Sequence, residues 1–81
     1  TIGRMARLQD PIRISSVSEL GALIRARRRE MKLRQADLSS ISGVDQSNLS
    51  KIERSQIPAT LETYLRLLEP LGIDLQAVPR E

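Results

Sequence analysis

A short polar segment in the second half of the chain carries the side chains whose chemistry is most informative. If residues 46–54 form a helix with about 100° between successive residues, one face of that helix holds no apolar side chain. The face comprises Gln46, Ser47, Ser50, Lys51 and Arg54. Glutamine can form two hydrogen bonds with adenine, serine can bind several bases, and lysine or arginine suits a phosphate or a guanine. The face therefore fits the surface of a DNA duplex, although an ordinary solvated helix face would also be polar.

The sequence lacks the residues on which much enzymatic and metal chemistry depends. Its 81 residues include no Cys and no His, which excludes disulfides, thiol nucleophiles, the usual zinc sites and acid–base catalysis by histidine. The serines therefore have no His or Cys partner with which to form a nucleophilic catalytic site. A single tyrosine is the only aromatic residue, which disfavours stacking on single-stranded nucleic acid. We expect a binding protein rather than an enzyme, with no cofactor and no metal.

Capping and turn signals predict the helices that position the polar face. Ser16 and Glu19 form a capping box that begins a first helix, and this helix closes near residues 31–33. Residues 35–42 form a short second helix. Gly43 ends the second helix, because glycine tolerates the left-handed conformation that follows a last helical turn.

The third and fourth helices follow after short connections. Asp45 caps the third helix, which runs to about Arg54, and Thr60 caps the fourth. The fourth helix has an apolar stripe, which we expect to face the core and from which Leu67 is displaced. The stripe consists of Leu61, Tyr64, Leu65, Leu68 and Leu71. Two short helices joined by so tight a turn are typical of a helix-turn-helix, whose second helix enters the major groove.

Positive charge is concentrated in one part of the chain. Residues 25–34 contain six basic residues and one acidic residue, whereas residues 60–81 contain two basic and four acidic residues. The net charge of the whole chain is only +3, so this distribution is more informative than the sum. The first region is suited to a polyanion and the second is not.

The segment Gln35–Arg54 resembles the Cro/Xre-type helix-turn-helix family, and the resemblance spans about residues 20–71. It depends on six residues at the family's spacing, namely Gln35, Leu38, Gly43, Leu49, Ile52 and Glu53. The resemblance implies that Gln35 contacts a phosphate and that Gln46, Ser47 and Ser50 touch base edges. It also implies a buried ion pair between Arg28 and Glu53. We assign Lys51 and Arg54 to phosphates, as their charge suggests.

The sequence departs from the family pattern near the second helix. Arg34 occupies the position of a capping Thr or Ser, which removes a cap worth about 1 kcal/mol. Ser39 replaces a small alanine between the helices, and Ser42 replaces an apolar or small residue before the turn. These departures predict a looser second helix. Asp45 stands where some relatives contact DNA, and we expect it to cap the third helix instead.

Residues 73–78 alternate between apolar and polar and predict a short strand. A lone strand leaves its backbone groups unpaired, and a helix-turn-helix followed by such a strand resembles the HipB-type antitoxins. In that family two copies pair their C-terminal strands, bind palindromic operators and restrain a HipA-type Ser/Thr kinase toxin. The resemblance implies a homodimer with Leu67, Ile73, Leu75 and Ala77 at its interface. The alternative is a strand that folds back onto Ile12–Ile14 of its own chain.

The sequence thus predicts an all-α fold, a four- to five-helix Cro/Xre-like bundle with a short C-terminal β-strand that pairs across a dimer. Residues 1–14 would form a basic N-terminal arm, 15–72 the DNA-binding domain, and 73–81 the dimerisation strand and tail. We expect a cytoplasmic bacterial repressor without membrane contact that associates with the nucleoid through double-stranded operator DNA. It would be the autoregulating antitoxin of a HipA-like kinase toxin. A stand-alone phage-type repressor, or an inhibitory protein-interaction module with secondary DNA binding, are the alternatives.

Overall fold

The computed structural model describes residues 11–80 and arranges them as four helices without a strand. The helices are α1 (Val17–Glu30), α2 (Gln35–Ser42), α3 (Gln46–Glu53) and α4 (Leu61–Leu68). The predicted all-helical fold is therefore confirmed over this range. Most of the predicted N-terminal arm, residues 1–10, lies outside the described residues.

Short polar caps fix the beginnings of α1 and α4. The Ser16 hydroxyl accepts a hydrogen bond from the Glu19 backbone N–H at 3.1 Å, and the Glu19 carboxylate accepts one from the backbone N–H of Ser15. In α4 the Thr60 hydroxyl accepts from the Thr63 backbone N–H at 3.2 Å. Each cap satisfies N–H groups that have no partner inside the helix, so local sequence is sufficient to place these helix starts.

The core is a compact cluster of aliphatic side chains with one tyrosine. Its buried members are Ile24, Leu38, Val44, Leu49, Ile52, Tyr64, Leu67, Leu68 and Leu71. All four helices contribute, and the turn between α2 and α3 adds one valine. Burial of these side chains removes apolar surface from water and is the main stabilising contribution in so small a protein.

The orientation of α4 differs from the prediction. Leu67 is fully buried, whereas Leu61 and Leu65 are 63% and 47% exposed. A stripe of residues 64, 67, 68 and 71 also has helical spacing, and this stripe faces the core. The placement of Leu67 off the core stripe was therefore wrong. Because its side chain is enclosed within one chain, Leu67 offers no surface to a second copy.

α1 and α3 approach each other closely at Gly21. A Cβ atom at this position would lie well inside van der Waals contact with the Ile52 carbonyl oxygen. The Ser55 hydroxyl also donates a hydrogen bond to the Ser18 carbonyl at 3.4 Å. α1 therefore crosses the C-terminal end of α3, and the absence of a side chain at Gly21 permits that crossing.

The predicted strand at residues 73–78 is not present in the single chain. The last backbone hydrogen bond of this region joins the Ile73 N–H to the Leu68 carbonyl at 3.1 Å. No backbone hydrogen bond joins the tail to residues 12–14 in the described part of the chain, so the alternative of a folded-back strand is wrong there. A single unpaired segment has no neighbour with which to complete a ladder.

An arginine ties the end of α4 to α1. The Arg27 side chain donates through Nε to the Leu71 carbonyl at 3.0 Å and lies 2.9 Å from the Glu30 carboxylate. Gly72 then turns the chain with φ of +72°. These contacts bring the tail back along α1, where it borders an open groove together with residues 11–15.

Candidate nucleic-acid interface

The turn between α2 and α3 sets the angle at which the polar face is presented. Gly43 ends α2 with φ of +79°, a left-handed conformation that favours glycine. The Ser39 hydroxyl donates to the Val44 carbonyl at 2.6 Å. The Ser42 hydroxyl accepts from the Val44 N–H at 3.2 Å. The two serines that were expected to loosen α2 instead hold the turn through the backbone of Val44.

An acidic residue compensates for the missing side-chain cap of α2. The Asp37 carboxylate accepts from the Arg34 backbone N–H at 2.9 Å, and the Arg34 guanidinium lies 3.2 Å from it. The hydrogen bond from the guanidinium lowers the pKa of Asp37 below its ordinary value, and the same bond raises the pKa of Arg34. A negative charge in the first turn also suits the helix dipole.

The first turn of α3 is organised by Asp45. Its carboxylate accepts hydrogen bonds from the backbone N–H groups of Ser47 at 3.0 Å and Asn48 at 3.3 Å. The predicted cap is therefore formed. Because the carboxylate is directed at the backbone of its own helix, Asp45 acts as a structural residue at the edge of the face.

The five side chains of the polar face lie on one side of α3. Gln46, Ser47, Lys51 and Arg54 are exposed, and Ser50 is half-buried. On the opposite side Leu49 and Ile52 are buried in the core. This division of the helix brings the candidate base-reading and phosphate-binding groups together at the protein surface.

A buried ion pair supports the end of this face. Arg28 Nε lies 2.6 Å from Glu53 Oε2, and Nη2 lies 2.9 Å from Oε1. Nη1 donates to the Leu33 carbonyl at 2.8 Å. Only 9% of the Arg28 side chain and none of the Glu53 side chain is exposed. The hydrogen bond to Glu53 raises the pKa of Arg28, and burial opposes this increase.

Gln35 belongs to the same network. Its side-chain amide donates from Nε2 to Glu53 Oε1 at 3.1 Å. The amide therefore has a fixed orientation at the N-terminus of α2, with a second N–H that does not take part in this bond. The structure thus joins Arg28, Glu53 and Gln35, three of the predicted site residues, in one network.

The predicted dimerisation residues are not gathered in one place. Leu67 lies in the core, Ile73 is half-buried, and Leu75 and Ala77 are exposed in the tail. The prediction of an interface through Ile73, Leu75 and Ala77 stays a prediction.

No helix of residues 11–80 is long and apolar enough to cross a membrane.

Several structural contacts were not predicted from the sequence. The close approach at Gly21 was missed, although an isolated glycine within a helical pattern is a signal for such packing. The bonds from Ser39 and Ser42 to Val44 were also missed, because a hydroxyl at a family alanine position does not reveal which backbone atom it contacts.

A helix-turn-helix family model matches residues 24–78, which is more than half of the chain. The chain therefore belongs to the helix-turn-helix family designated HTH_3, and the predicted Cro/Xre-type resemblance is confirmed. This family assignment covers the second half of α1, all of α2, α3 and α4, and the larger part of the tail.

Two bacterial proteins named as HTH-type transcriptional regulators are similar to the chain. One is from Haemophilus influenzae, is 42% identical over 52 residues, and is matched over 64% of this chain and 53% of the relative. This chain thus spans about half the length of that protein. The other, y4mF of Sinorhizobium fredii, is 32% identical over 63 residues, covering 78% of this chain and 83% of y4mF.

Two solved structures share the fold. The restriction-modification controller protein C.AhdI of Aeromonas hydrophila superposes with a TM-score of 0.67 at 31% identity, covering 72% of this chain and 88% of that one. A HipB variant in complex with the O2 20mer superposes with a TM-score of 0.78, covering 89% of this chain and all of that one. Sequence identity with HipB is 22%, so this likeness concerns the fold.

Proposed function

We propose that this chain is a sequence-specific DNA-binding transcriptional repressor in which α3 enters the major groove. The observation that carries the proposal is the exposed polar face of α3, which is held by the turn at Gly43 and by the Glu53 network. A helix-turn-helix places its second helix in the groove while the first helix crosses the backbone. Membership in a family with named transcriptional regulators supports the same function.

We assign base reading to the beginning of the exposed face. Gln46 and Ser47 lie in the first turn of α3, and Ser50 lies one turn later. The N-terminal residues of a recognition helix reach base edges, and a glutamine there can bind adenine through both the oxygen and the nitrogen of its side-chain amide. Operator specificity would therefore depend mainly on Gln46.

We assign phosphate contacts to groups at the border of that face. Lys51 and Arg54 are exposed cations near the end of α3, and Gln35 is held at the start of α2 by its bond to Glu53. Contacts of this kind fix the protein on the duplex without reading its sequence. The Glu53 network would thus set the position of one phosphate contact.

We further propose that two copies bind together through their tails. Leu75 is 44% exposed, and residues 74–80 form no backbone hydrogen bond within the described chain. Antiparallel pairing of two identical tails would satisfy these groups under two-fold symmetry, with Ile73, Leu75 and Ala77 in the interface. Two recognition helices would then lie about 34 Å apart, one turn of DNA.

The antitoxin role is the most specific part of the proposal. It is supported by the likeness of the fold to HipB over the full length of that chain. Its test is a binding assay between the purified chain and the kinase-like protein encoded beside it, if the genome carries such a neighbour. A neighbour of another kind, or a kinase that does not bind, would leave a stand-alone repressor.

Selection of duplexes from a random library by the purified chain tests the DNA-binding function. We expect the enriched duplexes to share a motif with two inverted half-sites, because a symmetric dimer mirrors its symmetry in the operator. Enrichment of a motif with a single half-site would contradict the dimeric mode. Failure to enrich any motif would contradict sequence-specific binding.

A further inference from the structure

The exposed side of α1 carries cations that are not among the residues assigned above. Arg25 and Arg29 lie one turn apart, and Lys32 is the second residue after the end of the helix, all three exposed. In the described part of the chain no carboxylate oxygen lies within 4.0 Å of these three side chains, although Arg27 and Arg34 each have one. We refer to Arg25, Arg29 and Lys32 as the basic ridge.

The ridge runs beside the C-terminal end of α3. Around the axis of α1, Arg25 lies about 40° from Gly21 and about 60° from Arg28. Gly21 meets the Ile52 carbonyl, and Arg28 binds Glu53. Because both neighbours touch the last turn of α3, Arg25 lies next to the C-terminal end of α3.

The turn after α1 places the third cation of the ridge. Lys32 has φ of +60°, a left-handed conformation that residues other than glycine adopt infrequently. Its backbone N–H donates to the Arg29 carbonyl at 2.9 Å, and the Leu33 N–H donates to the Arg28 carbonyl at 3.0 Å. Lys32 therefore lies between the end of α1 and the start of α2, near Gln35.

The charges of the ridge are not explained by the stability of α1 alone. Cations in the last turn interact favourably with the helix dipole, and this accounts for Arg29. Arg25 lies a full turn earlier, and like charges at a spacing of four residues repel each other on a helix. An external anion would remove this repulsion.

We propose that the basic ridge binds backbone phosphates of the duplex that flanks the sequence read by α3. This inference rests on the proposed DNA-binding function and extends it. Guanidinium groups bind phosphate through two parallel hydrogen bonds, and such contacts carry no sequence information. The ridge therefore increases affinity and its salt dependence, and it leaves discrimination between sequences to α3.

The test is a salt titration of DNA binding by the Arg25→Gln/Arg29→Gln double variant. Glutamine removes the charge and keeps a high helix propensity. The probe is the duplex enriched by the wild-type chain, with a random duplex of equal length as the non-specific probe. The matched control is Arg13→Gln/Arg80→Gln, which makes the same change in net charge at two exposed positions that line the groove beside α1, a groove to which α3 contributes no residue.

For a dimer bound to two half-sites, we expect the ridge variant to flatten the slope of log affinity against log salt by about 4, one for each lost cationic contact and two in each chain. The control should leave the slope close to that of the wild type. The ratio of affinities for the enriched and random duplexes should not change. An Arg25→Lys/Arg29→Lys variant should retain the slope, because it retains both charges.

Three results would overturn the inference in distinguishable ways. A wild-type slope in the folded ridge variant, judged by its melting temperature, would remove the ridge from the interface. An equal flattening in the control would show a long-range effect of net charge. A fall in the affinity ratio would show that the ridge reads bases. If the wild type binds neither duplex, the proposed function itself fails.

Discussion

The Glu53 carboxylate is buried and accepts three hydrogen bonds from two side chains. Two come from Arg28 and one comes from Gln35. A buried ionised group is tolerated when its partner is present, but loss of the partner leaves a charge without solvation. At the residue scale, this network links the stability of the domain to the position of the proposed phosphate contact at Gln35.

Replacement of Glu53 by alanine should destabilise the domain by about 3–5 kcal/mol, because the Arg28 guanidinium would stay buried without its partner. Chemical denaturation monitored by circular dichroism measures this loss. The matched control is Glu62→Ala, which breaks an exposed i,i+4 pair with Arg66 and should cost no more than about 0.5 kcal/mol. Equal losses of unfolding free energy in the two variants would contradict the conclusion that burial makes the Arg28–Glu53 pair important for stability.

The pair of Arg28 and Glu53 could be predicted only through the family resemblance. The two residues are 25 positions apart, and nothing in local periodicity joins them. The bond from Gln35 to Glu53 was not predicted, because it forms only if the start of α2 packs against the end of α3. Sequence therefore identified the members of this network and not all of its contacts.

At the scale of elements, caps and turns were predictable and helix orientation was not. Ser16, Asp45 and Thr60 each cap a helix through bonds that span three residues or fewer, so local sequence suffices. In α4 two apolar stripes with helical spacing share Tyr64, Leu68 and Leu71 and differ in whether Leu61 and Leu65 or Leu67 completes them. Packing against the other helices selects the one that contains Leu67, and this selection has no local signal.

The crossing of α1 and α3 predicts the effect of Gly21→Ala. In an exposed helix this change would stabilise by about 1 kcal/mol. Here the added methyl group would press on the Ile52 carbonyl, and we expect a net destabilisation of about 1–3 kcal/mol from overpacking. Urea denaturation of the variant measures the sign, and a stability above that of the wild type would contradict the close crossing.

The start of α2 should depend on pH through Asp37. Its pKa is lowered in the folded state by the bond from Arg34, so the interaction stabilises the fold above the pKa of the unfolded chain, about 4. This stabilisation is lost as the pH falls through the lower folded pKa. The difference in unfolding free energy between the wild type and Asp37→Asn should therefore be present at pH 7 and shrink below about pH 4. A difference that does not change between pH 7 and pH 3 would contradict this assignment.

At the scale of the whole molecule, one chain has a small core and an unpaired tail. A domain of this size buries only about 60% of the surface that its unfolded chain exposes, so a second copy would add stability. A strand at residues 73–78 requires a second strand to pair with, and local sequence does not identify that second strand. This explains why alternation along the tail predicted a strand and the single chain does not form one.

The dimer can be tested by a single substitution in the tail, without shortening the chain. Leu75→Asp changes an exposed residue and should leave the fold of one chain intact, but it would bury a charge in paired tails. Sedimentation velocity should show a shift from dimer to monomer. The neighbouring control, Gln76→Asp, lies on the other face of a strand and should remain dimeric. A Leu75→Asp variant that stays a dimer would place the interface elsewhere, and a monomeric wild type would contradict the dimer.

The central claim is that α3 reads bases through Gln46. Its most direct test is the affinity of Gln46→Ala for the enriched duplex and for a random duplex, compared with Asn48→Ala, an exposed residue of α3 outside the polar face. Loss of a base contact should cost about 1–3 kcal/mol for the enriched duplex and leave random binding unchanged. Asn48→Ala should alter neither affinity. An equal loss on both duplexes, or a Gln46→Ala variant that retains wild-type selectivity, would contradict the claim.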